Sequence, residues 1–240
     1  PLLVHESIVD HFKERSNVIT YALTGSGSPR VENLRIVGGK YVFDLFAEGR
    51  MIKDLELGMA GKHNVENAIA ASTVALRLGV SPDHLQQGLA SFRGVARRFQ
   101  TRVSNEKVVY IDDYAHHPKE LDACIASVRE LYPGKRIAGI FQPHLFTRTR
   151  DNVEDFGKSL AQLDELLLLD IYPAREEPIP GVTSDWLLKH VPMDVKECIK
   201  KESLLKEIDS RHVEVVLTMG AGDIDSLVAP LERQLNQRYP

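Results

Sequence analysis

The sequence predicts an α/β protein in two parts: antiparallel strands with two helices, then a mainly parallel, doubly wound sheet. Three observations predict it. After Phe99, apolar runs of strand length alternate with stretches of helical length, the pattern of βαβ units. Before it, strand-like runs follow one another closely with a turn signal between two of them. Between these regions lies an alanine-rich stretch closed by glycine, which reads as a helix with a C′ residue.

The early strand-like runs are Val18–Leu23, Leu34–Val37, Tyr41–Phe46 and Met51–Leu57. Glu48-Gly49-Arg50 is a hairpin turn between the last two, so residues 17–57 are expected to form antiparallel strands. A helix follows from about Asn64 to Leu78, stopped by Gly79. Ser81-Pro82 then caps a second helix reaching about Ser91, with proline at its first position. A change of pattern at Arg98–Phe99 divides the chain into residues 1–98 and 99–240. In the second part the expected strands are Lys107–Ile111, Arg136–Phe141, Leu166–Leu169 and Val213–Thr218. Expected helices are Pro118–Leu131, Asn152–Leu163, Asp185–His190, Ser203–Ile208 and Ile224–Asn236.

Composition sets the bounds. Hydrophobic residues at 43% and charged residues at 27% are those of a soluble globular chain. A net charge of −4 leaves no basic footprint, which argues against a nucleic-acid partner. Cys124 and Cys198 are too few for a disulfide framework and read as reduced thiols of a cytoplasmic protein. No apolar run approaches the roughly 18 residues of a membrane span, so no membrane partner is expected. The first residues carry no signal-peptide pattern, and a proline start is expected to mark a fragment or a processed chain.

The chemistry-bearing residues gather where predicted strands end. Asp112-Asp113-Tyr114-Ala115-His116-His117-Pro118-Lys119-Glu120 follows one strand, at the position where open α/β sheets bind ligands. Its aspartates suit ribose hydroxyls; its carboxylates and imidazoles also suit a metal such as zinc or manganese. Alternatively His117 caps a helix whose first residue is Pro118. Phe141-Gln142-Pro143-His144-Leu145-Phe146-Thr147-Arg148-Thr149-Arg150 follows a second strand, and its arginines suit a carboxylate or phosphate, or are solvated charges. Asn64 and Asn67, three apart in a first helical turn, share a face and suit a purine edge, or Asn64 is only an N-cap. Arg97-Arg98 clamps phosphate or makes salt bridges. Met219-Gly220-Ala221-Gly222-Asp223 leads from a strand into a helix and allows close backbone approach to a ligand. Gly157-Lys158-Ser159 lacks the preceding glycine of a phosphate loop, and neither Gly25-Ser26-Gly27 nor Gly220-Ala221-Gly222 continues into a dinucleotide fingerprint.

Taken together, these motifs resemble the Mur ligase family. The resemblance rests on Gly61-Lys62-His63-Asn64-Val65-Glu66-Asn67, Gly94-Val95-Ala96-Arg97-Arg98-Phe99, the Asp112–Pro118 run, His144 through Arg150, Tyr172-Pro173-Ala174 with Glu177-Pro178-Ile179, and Gly220-Ala221-Gly222-Asp223. It covers residue 17 to the C-terminus, in the family's order. It implies that residues 1–98 are the second half of a central ATPase domain and residues 99–240 a Rossmann-like C-terminal ligase domain. The N-terminal half of the same polypeptide, with the phosphate loop and the main magnesium ligands, would lie upstream.

The implied chemistry is ATP- and magnesium-dependent amide formation through an acyl phosphate in peptidoglycan synthesis. Its substrates would be UDP-N-acetylmuramate and L-alanine, and this chain alone would be inactive. The alternatives are the family's murein-peptide recycling branch and a nucleotide-binding module without chemistry. Carried over by motif, Asn64 and Asn67 would serve adenine, Arg98 the phosphates, and Asp113 the ribose. Tyr114 and His117 would line the nucleotide and substrate site, and His144 and Arg148 would hold the amino acid or the acidic substrate. The catalytic set is then Arg98, His117, His144 and Arg148, with no metal ligand assigned. Two positions depart from the family: Leu145 stands where many relatives are basic, and Ala115 replaces a common glycine, tolerable if its φ is not positive.

Overall fold

A computed structural model describes residues 1–24 and 28–240. The Gly25-Ser26-Gly27 stretch lies outside the described residues. The chain divides into two compact units, Pro1–Gly94 and Val95–Pro240, so Arg98–Phe99 falls just inside the second. Arg97 and Phe99 are tied there by hydrogen bonds to the Asp112–Tyr114 strand end.

In the first unit, β1 (Leu2–His5) and β2 (Val18–Tyr21) form a two-stranded parallel pair joined through a 3-10 segment at Glu6–Phe12. This corrects the expected antiparallel role of Val18–Leu23: its partner is the N-terminal Leu2–His5 run, too short to announce itself as a strand. The antiparallel meander comprises β3 (Arg30–Val37), β4 (Lys40–Ala47) and β5 (Arg50–Glu56). The β4–β5 turn has Glu48 at φ 50° and Gly49 at φ 73°, the left-handed pair that a two-residue hairpin with the strands' own twist requires. The buried Asp44 carboxylate ties two irregular positions together, accepting from Asn33 Nδ2 at 2.7 Å and Asp54 N at 2.9 Å. α1 (Lys62–Arg77) buries Val65, Ala68, Ile69 and Leu76, a helical stripe. In α2 (Pro82–Ser91), Ser81 Oγ caps the helix by accepting from His84 N at 3.3 Å.

The second unit is one six-stranded sheet. Its strands are β6 (Gln100–Ser104), β7 (Val109–Asp113), β8 (Ile137–Phe141), β9 (Glu165–Leu168), β10 (Lys196–Cys198) and β11 (Val215–Met219), in the spatial order β10-β9-β8-β11-β7-β6. All neighbours are parallel except β6 and β7. Val109, Tyr110 and Ile111, like the whole of β8 and β11, are buried on both faces, which is why these strands read as unbroken apolar runs.

Helices cover both faces. On one, Tyr110, Ala138, Ile140, Leu167 and Val216 share a core with residues of α7 (Leu204–Asp209) and α8 (Asp225–Arg238). On the other lie α3 (Pro118–Leu131) and α5 (Val153–Leu160), with Phe141 packed on Phe156 and Ser159 Oγ donating to the Pro118 carbonyl at 3.2 Å. Gly157, the glycine of the Gly-Lys-Ser triplet, serves close packing inside α5: a Cβ there would sit 2.1 Å from the His190 carbonyl oxygen. Two short helices complete the unit, α4 (Phe146–Asp151) and α6 (Ser184–Lys189). Among the described residues no helix is long and apolar enough to cross a membrane.

Candidate functional site

In the second unit, β7, β8 and β11 run side by side, and β8 neighbours β9. Their carboxyl ends bring together the segments that follow Asp113, Phe141, Leu168 and Met219. Open parallel sheets bind ligands at such ends, where the order of connections reverses.

The aspartates close one side. Asp112 is fully buried, its Oδ2 accepting from Arg97 Nε at 3.1 Å and its Oδ1 from Thr218 Oγ1 at 2.7 Å. Arg97 also donates through Nη2 to the Gly220 carbonyl at 2.7 Å, so this guanidinium is spent within the fold. Asp113 accepts from the backbone amides of Phe99 at 2.6 Å and Ala115 at 2.7 Å. Burial raises the Asp113 carboxyl above its ordinary value, against the pull of those two amides and of the Arg98 charge. A ribose hydroxyl would have to use the lone pairs these amides leave.

Two guanidinium groups approach the Tyr114 ring, that of Arg97 at 5.4 Å and that of Arg98 at 5.3 Å. The Arg97-Arg98 pair therefore splits into a half-buried anchor and an exposed cation. His117 is the N-cap of α3 with Pro118 at its first position, one of the two roles its sequence context allows. Glu120 closes the cap, accepting from the amides of His116 at 2.9 Å and His117 at 3.2 Å. With the carboxylates so engaged, no group of three or more His, Cys, Asp or Glu among the described residues is placed to hold a metal ion. Ala115 is not among the residues with positive φ, so its methyl group causes no backbone strain.

The segment after β8 supplies the unsatisfied groups. His144 pairs with Tyr172 in an isolated parallel bridge, and their rings stack at 5.7 Å. The His144 ring also lies 6.0 Å from that of His116. Burial, the Arg148 charge and His116 hold the His144 imidazole below its ordinary value, leaving it neutral near pH 7. His144 Nδ1 and Arg148 Nη1 are both buried without a hydrogen-bond partner. An unpaired buried guanidinium nitrogen carries a large desolvation cost, and an anion with oxygens to offer would remove it.

Two groups that sequence reasoning misses hold this segment. Gln142 donates to Asp223 Oδ1 at 2.7 Å and accepts from the Ile224 amide at 2.8 Å, fixing the loop after β11. Gly222 there has no room for a side chain, since its Cβ would fall 2.5 Å from Gln142 Oε1 and 2.7 Å from Tyr172. Glu176 accepts from Thr147 through both amide and hydroxyl. The only advance signal for either was position: each lies within a few residues of a strand end or a proline turn.

Asn64 and Asn67 belong to the first unit and do share a face, their side chains meeting at 3.5 Å. Gly61, at φ 98°, is the N-cap of α1, which corrects the reading of Asn64 as the cap. Asn64 is the third helical residue, buried, donating to the Ala60 carbonyl at 2.6 Å.

Residues 97–222 match the family described as Mur ligase, glutamate ligase domain. A curated relative, the UDP-N-acetylmuramate–L-alanine ligase of Parabacteroides distasonis, is 48% identical over 229 residues, covering 95% of this chain and 50% of its own length. The chain thus spans about half the length of the curated relatives it matches. Among solved structures, the UDP-N-acetylmuramate–alanine ligase of Thermotoga maritima superposes with a TM-score of 0.77 at 24% identity, over 99% of this chain and 52% of that one. A MurF ligase of the same organism, solved with ADP, gives a TM-score of 0.72 at 19% identity, over 98% of this chain and 54% of that one. At these identities the structural likenesses speak for the fold.

Proposed function

Since this chain belongs to the Mur ligase family, we propose that it is the C-terminal half of a cytoplasmic, ATP-dependent ligase joining L-alanine to UDP-N-acetylmuramate in peptidoglycan synthesis. The observation that carries the reading is the pair of unpartnered buried nitrogens, His144 Nδ1 and Arg148 Nη1, at the carboxyl ends of the parallel strands. Every reactant in such a reaction carries a carboxylate or phosphate, and a guanidinium held without an internal acceptor suits one of the carboxylates.

In the proposed sequence, a carboxylate oxygen of the muramate attacks the γ-phosphorus of ATP, and ADP departs. The amine of L-alanine then attacks the acyl phosphate carbon. The tetrahedral intermediate collapses to the amide, releasing phosphate and the proton of the amine. Arg148 would orient a substrate carboxylate, with neutral His144 beside it as a proton-accepting or proton-donating partner. Exposed Arg98, braced on Tyr114, would meet phosphate charge as it moves from γ-phosphoryl to acyl phosphate. Asn64 and Asn67 would serve adenine, Asp113 ribose, and Tyr114 and His117 the walls of the nucleotide site. The magnesium that the family uses has no ligand set among the described residues, and none is assigned to this chain.

Phosphate release by the full-length polypeptide carrying this chain tests the reading. It should require ATP, UDP-N-acetylmuramate and L-alanine together. Release with a murein peptide in place of L-alanine would assign the recycling branch instead, and tight ATP binding without any release would indicate a non-catalytic nucleotide module.

A further inference from the structure

Helix α4 has six residues, far below the ~12–15 at which a helix begins to hold by itself. Its N-cap, Leu145, sits at φ 74° and offers no side-chain acceptor to the first turn. The orphan amides of that turn need an acceptor from elsewhere. Glu176 provides it across the chain, accepting from Thr147 N at 3.0 Å and from the Thr147 hydroxyl. The two loops are also joined along the backbone, by Leu145 N to the Tyr172 carbonyl at 2.9 Å and Tyr172 N to the Pro143 carbonyl at 2.8 Å. Arg148 is the next residue after Thr147, and its Nη1 stays unpartnered although a carboxylate stands nearby.

We propose that Glu176 is a positioning residue: by latching Thr147 it fixes the first turn of α4 and holds Arg148 ready for a substrate carboxylate without using its donors. The inference rests on the reading that Arg148 binds such a carboxylate. Thr147's hydroxyl and amide hold the Glu176 carboxyl below its ordinary value, so the latch is ionised at neutral pH. Its charge at a helix N-terminus is favourable as well. Because its oxygens face Thr147, the anion lies close to the guanidinium yet leaves the Nη1 donor open.

Kinetics of the full-length polypeptide carrying this chain test this. Glu176→Ala should raise KM for the carboxylate substrate that Arg148 serves by about 10- to 100-fold, with KM for ATP unchanged within about twofold. Glu176→Gln, which keeps an acceptor oxygen, should recover much of that loss. Added to Arg148→Ala, the Glu176→Ala change should cost nothing further, because the two act through one contact. Each variant is compared at matched thermal stability, read by circular dichroism. If Arg148→Ala raises KM and Glu176→Ala does not, the positioning role is overturned while the site stands. The positioning role also falls if the double variant loses the sum of both effects. An unchanged KM in Arg148→Ala would defeat the site reading and this inference with it.

Discussion

Arg97→Ala should destabilise the second unit far more than a surface salt bridge would suggest. The Arg97 side chain is 18% exposed and that of Asp112 is 0% exposed. Truncation removes the 3.1 Å bond to Asp112 and the 2.7 Å bond to the Gly220 carbonyl, leaving Asp112 buried with Thr218 as its side-chain donor. Stranding one partner of a buried pair costs about 3–5 kcal/mol, and the partial exposure of Arg97 places this case near the lower end. Trp186, the chain's single tryptophan, lies in the second unit and reports its unfolding. In urea, a loss of about 3 kcal/mol would move the Trp186 transition down by roughly 1–2 M. Arg97→Ala combined with Asp112→Asn removes the stranded charge and should recover at least about 1 kcal/mol relative to the sum of the singles. A cost of less than about 1 kcal/mol for Arg97→Ala, the value of an exposed pair, or a simply additive double variant would refute the stranding of Asp112.

Two further outcomes are expected. The His144 imidazole should titrate below its ordinary 6.5, and its midpoint should rise in Arg148→Ala. The folded chain then binds fewer protons than the unfolded chain, so this histidine makes stability fall as pH drops from about 6.5 toward the folded midpoint, with no effect above that window. Histidine NMR checks both, and a native midpoint at or above 6.5 would refute them. Gly222→Ala should cost about 1–3 kcal/mol by pressing on Gln142 and Tyr172, lowering Tm by several degrees. An unchanged Tm would show that the loop after β11 yields easily.

The central strands of the parallel sheet were legible because burial on both faces leaves runs such as Val109-Tyr110-Ile111 with no polar interruption. What escaped was structure defined by its partners. Gln100–Ser104 is a polar, half-exposed edge strand that exists by pairing with β7. Lys196–Cys198 is only three residues long, and Phe146–Asp151 has too little apolar face to announce a helix. Val18–Tyr21 is a strand by its own composition, but its parallel partner is not visible in its pattern. Among the candidate site residues, the strand-end rule pointed to Asp112, Asp113, His144 and Arg148. It did not reveal that Asp112 faces Arg97 and Thr218, or that Glu176, 29 residues away, latches Thr147. Those depend on packing between segments distant in sequence.

The most direct measurement is steady-state kinetics of Arg148→Ala in the full-length polypeptide carrying this chain, varying ATP, L-alanine and UDP-N-acetylmuramate in turn. One carboxylate substrate should show KM raised by about 10-fold or more, for a charge-assisted bond of about 1.5–3 kcal/mol, while KM for ATP stays near that of the native enzyme. Equal losses for all three substrates, or none, would contradict the placement of a substrate carboxylate against Arg148.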